Sequence, residues 1–182
     1  MYRAAIFIVV SILLAVLSRA SLREPRSHGF YRYFAWLAIV ALILINVPSW
    51  FRDPLSALQL VSWSLLVGSL VMVIDGTRQL RAKGRPDENR EDETLLSIER
   101  TTELVTTGIY GYVRHPMYSS LLLLAWGALL KHPSWKAVAL AVAATGFLLA
   151  TARVEEQENL RFFGGAYRVY MHKTKLFVPY LF

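Results

Sequence analysis

The chain has 182 residues, of which 55% are hydrophobic, a net charge of +7 and no cysteine. Its length suits about one domain, yet the apolar residues fall in long blocks rather than at amphipathic spacing, which argues against a soluble domain. The lack of cysteine excludes disulfides, thiolate metal sites and a cysteine nucleophile, and no metal site is expected.

In chain order, residues 4–18, 33–51, 54–74, 117–130 and 137–152 contain no Asp, Glu, Lys or Arg. These five blocks are the expected membrane helices of an all-α integral membrane protein. The first, fourth and fifth fall short of the roughly 20 residues that cross a bilayer, so they need polar flanks, tilt or an incomplete crossing. A cleaved signal peptide would be an alternative for the first, but Arg19 and the basic cluster after it read as a cytoplasmic stop. With the N-terminus outside and the C-terminus in the cytosol, sixteen of the twenty Lys and Arg residues fall on the cytoplasmic side. That is the bias expected of a multi-pass protein, and the positive charge then suits anionic lipid headgroups and needs no nucleic acid to explain it.

The first 76 residues therefore read as three membrane helices, broken by Glu24-Pro25-Arg26-Ser27-His28-Gly29 and by the turn from Pro48 to Pro54. Trp36, Trp50, Trp63, Tyr31 and Tyr33 read as an interfacial aromatic belt. Residues 77–107 carry dense charge of both signs and read as a cytoplasmic loop, long for so small a protein. Residues 108–182 complete the single membrane domain with a helical hairpin that turns at Lys131-His132-Pro133-Ser134. After Ala152 an amphipathic cytoplasmic helix is expected, with Gly164-Gly165 capping it before another begins. His115 lies 18 residues before Pro133 and Glu155 lies 22 after it. In antiparallel helices their axial offset is about 6 Å, so both reach the same membrane face.

The densest cluster of reactive side chains is Leu104-Val105-Thr106-Thr107-Gly108-Ile109-Tyr110-Gly111-Tyr112-Val113-Arg114-His115-Pro116-Met117-Tyr118. Pro116 suits the first turn of a helix, placing Arg114 and His115 at its start, where free N–H groups attract anions. Tyr110, Tyr112 and Tyr118 offer electron-rich faces to a cation, and a sulfonium is such a cation. Glu155 and Glu156 could pair with an ammonium or accept from ribose hydroxyls.

The pattern Leu104-Val105-x-x-Gly108-x-Tyr110-x-x-x-Arg114-His115-Pro116-x-Tyr118, followed by Glu155-Glu156, Phe163-Gly164-x-x-Tyr167-x-x-Tyr170 and Pro179, resembles the isoprenylcysteine carboxyl methyltransferase family. The likeness runs from Thr101 to Pro179; the first three helices match only in kind. It implies an S-adenosylmethionine-dependent methyltransferase whose cofactor contacts fall on Glu103, Leu104, Val105, Tyr110, His115, Pro116, Met117, Tyr118 and Glu155. It also implies a lipid or prenylated acceptor. Thr102 stands where that family often has His, and Thr151 where it has the Arg that orients the substrate. Arg114 or Arg153 is then left to orient an acceptor carboxylate. Membrane enzymes that methylate phospholipid amines share this C-terminal pattern and are the alternative. Membrane sterol reductases share the hairpin, and a non-enzymatic scaffold would explain only the charged loop.

Overall fold

A computed structural model describes residues 2–85 and 101–179. The charged stretch at residues 86–100 lies outside them. The described residues form α1 (Tyr2–Leu17), α2 (Arg19–Arg23), α3 (His28–Asn46), α4 (Ala57–Lys83), α5 (Pro116–Leu129), α6 (Trp135–Phe163) and α7 (Gly165–Lys173). There is no strand among them, and Val113 and Lys175 form an isolated parallel bridge. Serine side chains start three of the helices: Ser27, Ser56 and Ser134 accept from the backbone N–H of Phe30, Gln59 and Ala137, satisfying donors that have no partner within the helix.

The all-helical membrane architecture expected from the sequence is the one that folds. Helices α3, α4 and α6 are long and apolar enough to cross a membrane, whereas α1 and α5 are shorter apolar helices. At 14 residues, α5 rises about 21 Å, less than a hydrocarbon core of about 30 Å. The last apolar block does not end at Ala152. Nothing in residues 153–163 breaks a helix, so α6 runs unbroken for 29 residues to Gly164, whose φ of +60° stops it. The amphipathic segment is thus split between the end of α6 and the short α7.

Helix α3 packs along α6, and α4 along α5, with α5 also touching α3 and α6. Both main seams are built from small residues that let backbones approach without a hydrophobic drive between helices. Ala35 and Ala38 meet the stripe Ala137, Ala141, Ala144 and Leu148. On α4, Ser62, Ser69 and Gly76 recur every seventh residue on the buried face. The Ser62 hydroxyl donates to the Gly127 carbonyl at 2.7 Å, and Gly76 lies against Pro116 and Met117. Outward, α1 and α4 present Ile12, Leu13, Val16, Val61, Val67 and Val71, an apolar surface suited to lipid.

Each end of the bundle is tied. At the α5–α6 turn, Asn46 donates to the Ala128 carbonyl and Gln59 to those of Leu130 and Lys131. The Lys131 ammonium donates to Gln59 Oε1 and sits 3.3 Å from the Trp63 ring centroid. At the opposite end His28 Nδ1 meets Glu158 Oε2 at 2.5 Å, joining the start of α3 to the last turns of α6. That second end holds the candidate site.

Candidate active site

Five segments converge at the end of the bundle where α5 begins. Residues 101–103 double back onto the end of α4, with the amides of Thr102 and Glu103 donating to the Gly84 carbonyl. Gly108 then turns with φ of +62°, a left-handed backbone conformation that residues other than glycine rarely adopt, beside Gln79 of α4. A single 3₁₀ turn (Gly108–Gly111) buries Tyr110 and leads to His115, the residue that precedes the first turn of α5, with Pro116 at its start.

The chain returns to this loop after α7. Arg114 and His115 donate their backbone N–H groups to the carbonyls of Lys175 and Leu176, and the Lys175 amide donates to the Tyr112 carbonyl. Ser119 closes the strap by donating to the Phe177 carbonyl at 2.8 Å. The phenol of Tyr170 donates to the Tyr110 carbonyl at 2.7 Å, pinning α7 on the 3₁₀ turn.

Between these segments lies a pocket with about 660 Å³ of empty space, the open solvent at its mouth included. It is lined by Leu104, Val105, Tyr110, Arg114, His115, Pro116, Met117, Tyr118 and Glu155, nine of the residues singled out by sequence. Leu80, Thr101, Asn159, Phe163, Tyr167 and Tyr170 complete the wall. The His115 and Tyr118 rings stack at 5.4 Å, and Phe163 stacks on Tyr167 at 6.5 Å. Two expected residues stand elsewhere. Glu103 is exposed and pairs with Arg85 beside a second, shallow depression. Arg153 is exposed on α6 and outside the cavity wall, because residues two apart on a helix point about 200° apart and Glu155 faces inward.

The charged groups divide into a satisfied pair and an unsatisfied one. Arg114 Nε meets Glu156 Oε1 at 2.5 Å, while its NH1 group donates to the carbonyls of Met171 and Thr174 at the end of α7. Its guanidinium is therefore a clasp between α6 and α7. His115 Nδ1 lies 3.6 Å from Glu155 Oε2 and His115 Nε2 lies 3.8 Å from Glu156 Oε1, both beyond hydrogen-bonding reach. His115 Nε2 and Glu155 Oε2 are buried with no hydrogen-bond partner, a state that costs about 1–3 kcal/mol or more for each group and that a polar ligand would relieve.

Residues 58–165, more than half of the chain, match the phospholipid methyltransferase family. The chain belongs to this family. It is thus a membrane methyltransferase that acts on lipids, and the family match spans α5, α6 and all but the first residue of α4, and includes both His115 and Glu155. No curated protein and no solved structure matches the chain.

Tyr167 and Tyr170 were visible in the sequence pattern, but nothing there placed them in the cavity. Burial, together with the carboxylates of Glu155 and Glu156, pushes the Tyr167 phenol far above its ordinary range. Burial also raises Tyr170, against the opposing pull of Arg114. A raised phenol keeps its proton in the folded protein while the unfolded chain ionises near pH 10. Stability is therefore unaffected below about pH 10 and falls as pH rises beyond it. In a spectrophotometric titration at alkaline pH, Tyr167 and Tyr170 are expected to ionise late, and only on unfolding. Tyr170→Phe should remove one of them and cost about 0.5–1.5 kcal/mol in thermal denaturation.

Proposed function

We propose that the chain transfers a methyl group from S-adenosylmethionine to the amine headgroup of a phospholipid, in the cavity between His115 and Glu155. The observation that carries this reading is the unpartnered pair, His115 Nε2 and Glu155 Oε2, buried in an aromatic-walled cavity. These residues fit the cofactor: Glu155 suits an ammonium or ribose hydroxyls, and the faces of Tyr110, Tyr118 and Tyr167 suit a sulfonium. Bound there, S-adenosylmethionine supplies an electrophilic methyl group whose bond to sulfur breaks with its electron pair passing to sulfur.

The remaining work falls to the protein. Leu104, Val105, Pro116 and Met117 exclude water and, with the tyrosines, fix the approach of the acceptor. An ammonium headgroup must shed a proton before its nitrogen can attack, and the buried ring nitrogen His115 Nε2, which makes no hydrogen bond and has the Glu156 carboxylate 3.8 Å away, is placed to take it. An acceptor carboxylate would instead need a cation. Among the described residues lining the cavity, the only arginine or lysine is Arg114, already held by Glu156 and two carbonyls. The basic bias of the flanking segments supports a cytoplasmic position for this end of the bundle.

The second reading, carboxyl methylation of an isoprenylcysteine-like acceptor, is favoured by the residue pattern from Leu104 to Tyr118. The two separate by product. Purified protein with methyl-labelled donor and phosphatidylethanolamine vesicles should yield an alkali-stable methylamine. A base-labile methyl ester formed on a prenylcysteine, with no label in phospholipid, would overturn the amine assignment.

A further inference from the structure

An open groove with about 850 Å³ of empty space, that of its open side included, runs along the bundle between α4, α5 and α6. Its wall is Leu65, Leu122, Leu123, Trp126, Leu149 and Phe177 with Val178 and Thr145. Thr145 is the one polar side chain among them without an aromatic ring, and its hydroxyl is already engaged, donating to the Ala141 carbonyl and accepting from the Trp126 indole at 3.2 Å. The groove therefore offers a ligand no unmet hydrogen bond and would accept only hydrocarbon.

Its position connects it to the site. The buried Phe177 ring lines the groove and also packs edge-on against His115 at 6.3 Å, so one ring separates groove from cavity. From Tyr118 at the cavity to Trp126, eight residues along α5, is about 12 Å. At that depth the Trp126–Thr145 hydrogen bond links α5 to α6 in the groove wall.

We propose that this groove holds the acyl chain of the acceptor lipid, with Phe177 as the partition beside the reacting headgroup and Trp126 as the residue that sets chain length. The inference rests on the lipid methyltransferase reading above, and adds to it where the tail lies. Adjacency to the cavity across the single Phe177 ring distinguishes the groove from the lipid-facing surface of α4.

Two measurements test it. Phosphatidylethanolamine carrying a terminal diazirine on its acyl chain, reconstituted with the protein in phosphatidylcholine vesicles, should label Leu122, Trp126 and Leu149 several-fold above the outward-facing Val67 and Val71. Equal labelling of both faces would overturn the proposal, and labelled groove residues without any methyl transfer would contradict the catalytic reading while upholding the groove. For turnover across acyl lengths, Trp126→Ala should move the optimum to longer chains. Leu149→Trp should raise KM for long chains about tenfold with kcat and S-adenosylhomocysteine affinity retained. An unchanged length profile in both variants, each binding S-adenosylhomocysteine normally, would also overturn the proposal.

Discussion

Replacing Glu155 with Ala is expected to weaken S-adenosylhomocysteine binding roughly 10- to 150-fold, the equivalent of the 1.5–3 kcal/mol carried by a hydrogen bond to a charged group. Glu155 faces the cavity from α6 with one oxygen buried and unpartnered, so removing it takes away a ligand contact and relieves an unsatisfied polar atom. The folded state should accordingly be no less stable, while affinity falls. His115→Ala is expected to act differently. It removes a ring stacked on Tyr118 and packed against Phe177, and with it the proposed proton acceptor, so turnover should fall more than affinity. Calorimetry alongside labelled-methyl turnover separates the two effects. Equal losses of affinity and turnover in both variants would contradict the division of roles.

Arg114→Met carries the largest expected effect on stability. The Arg114 and Glu156 side chains are 11% and 13% exposed, and breaking a buried pair from one side costs about 3–5 kcal/mol because the remaining charge has no partner. Two α7 carbonyls would lose their donor as well, so α7 and the strap at residues 174–179 should loosen together. The double replacement Arg114→Met with Glu156→Leu should recover much of the loss, since an apolar pair of similar volume is often no worse than a buried ion pair. Thermal denaturation in detergent checks both. A double variant no more stable than Arg114→Met would mean that the contacts to α7, rather than the ion pair, dominate. Because Arg114 holds the fold at this point, its loss of turnover should track the loss of folded protein.

The hairpin was the most legible part of the sequence. Counting from the turn at Pro133 put His115 and Glu155 about 6 Å apart along the axis, and their side chains approach to 3.6 Å, because two helices of fixed rise leave little freedom once the turn is known. Gly108, Gly164 and Pro116 were likewise readable, each meeting a backbone need that few residues satisfy. The course of α6 was less so. Absence of charge marks where a helix can sit in lipid, but it does not mark where the helix ends, and α6 continues through Arg153 and Glu155 to the first residue that breaks it.

The role of Arg114 was hidden for a different reason. A sequence shows a guanidinium beside a histidine, whereas its partners lie 42 to 60 residues away: Glu156 arrives with the hairpin, and the carbonyls of Met171 and Thr174 only after α7 folds back. The same fold-back brings Tyr167 and Tyr170 into the wall. No local periodicity encodes that contact; the signals are the left-handed Gly164 and the tyrosines spaced by three on a short helix. The hydrocarbon groove is harder still to read, being the space left where α4, α5 and α6 do not meet.

Calorimetric titration of S-adenosylhomocysteine into the detergent-purified protein tests the central claim most directly. One molecule should bind per chain, with the heat lost in Glu155→Ala and reduced in His115→Ala under identical conditions. A wild-type protein that is folded by thermal denaturation yet gives no binding heat at any temperature tried, or Glu155→Ala binding as tightly as wild type, would contradict it.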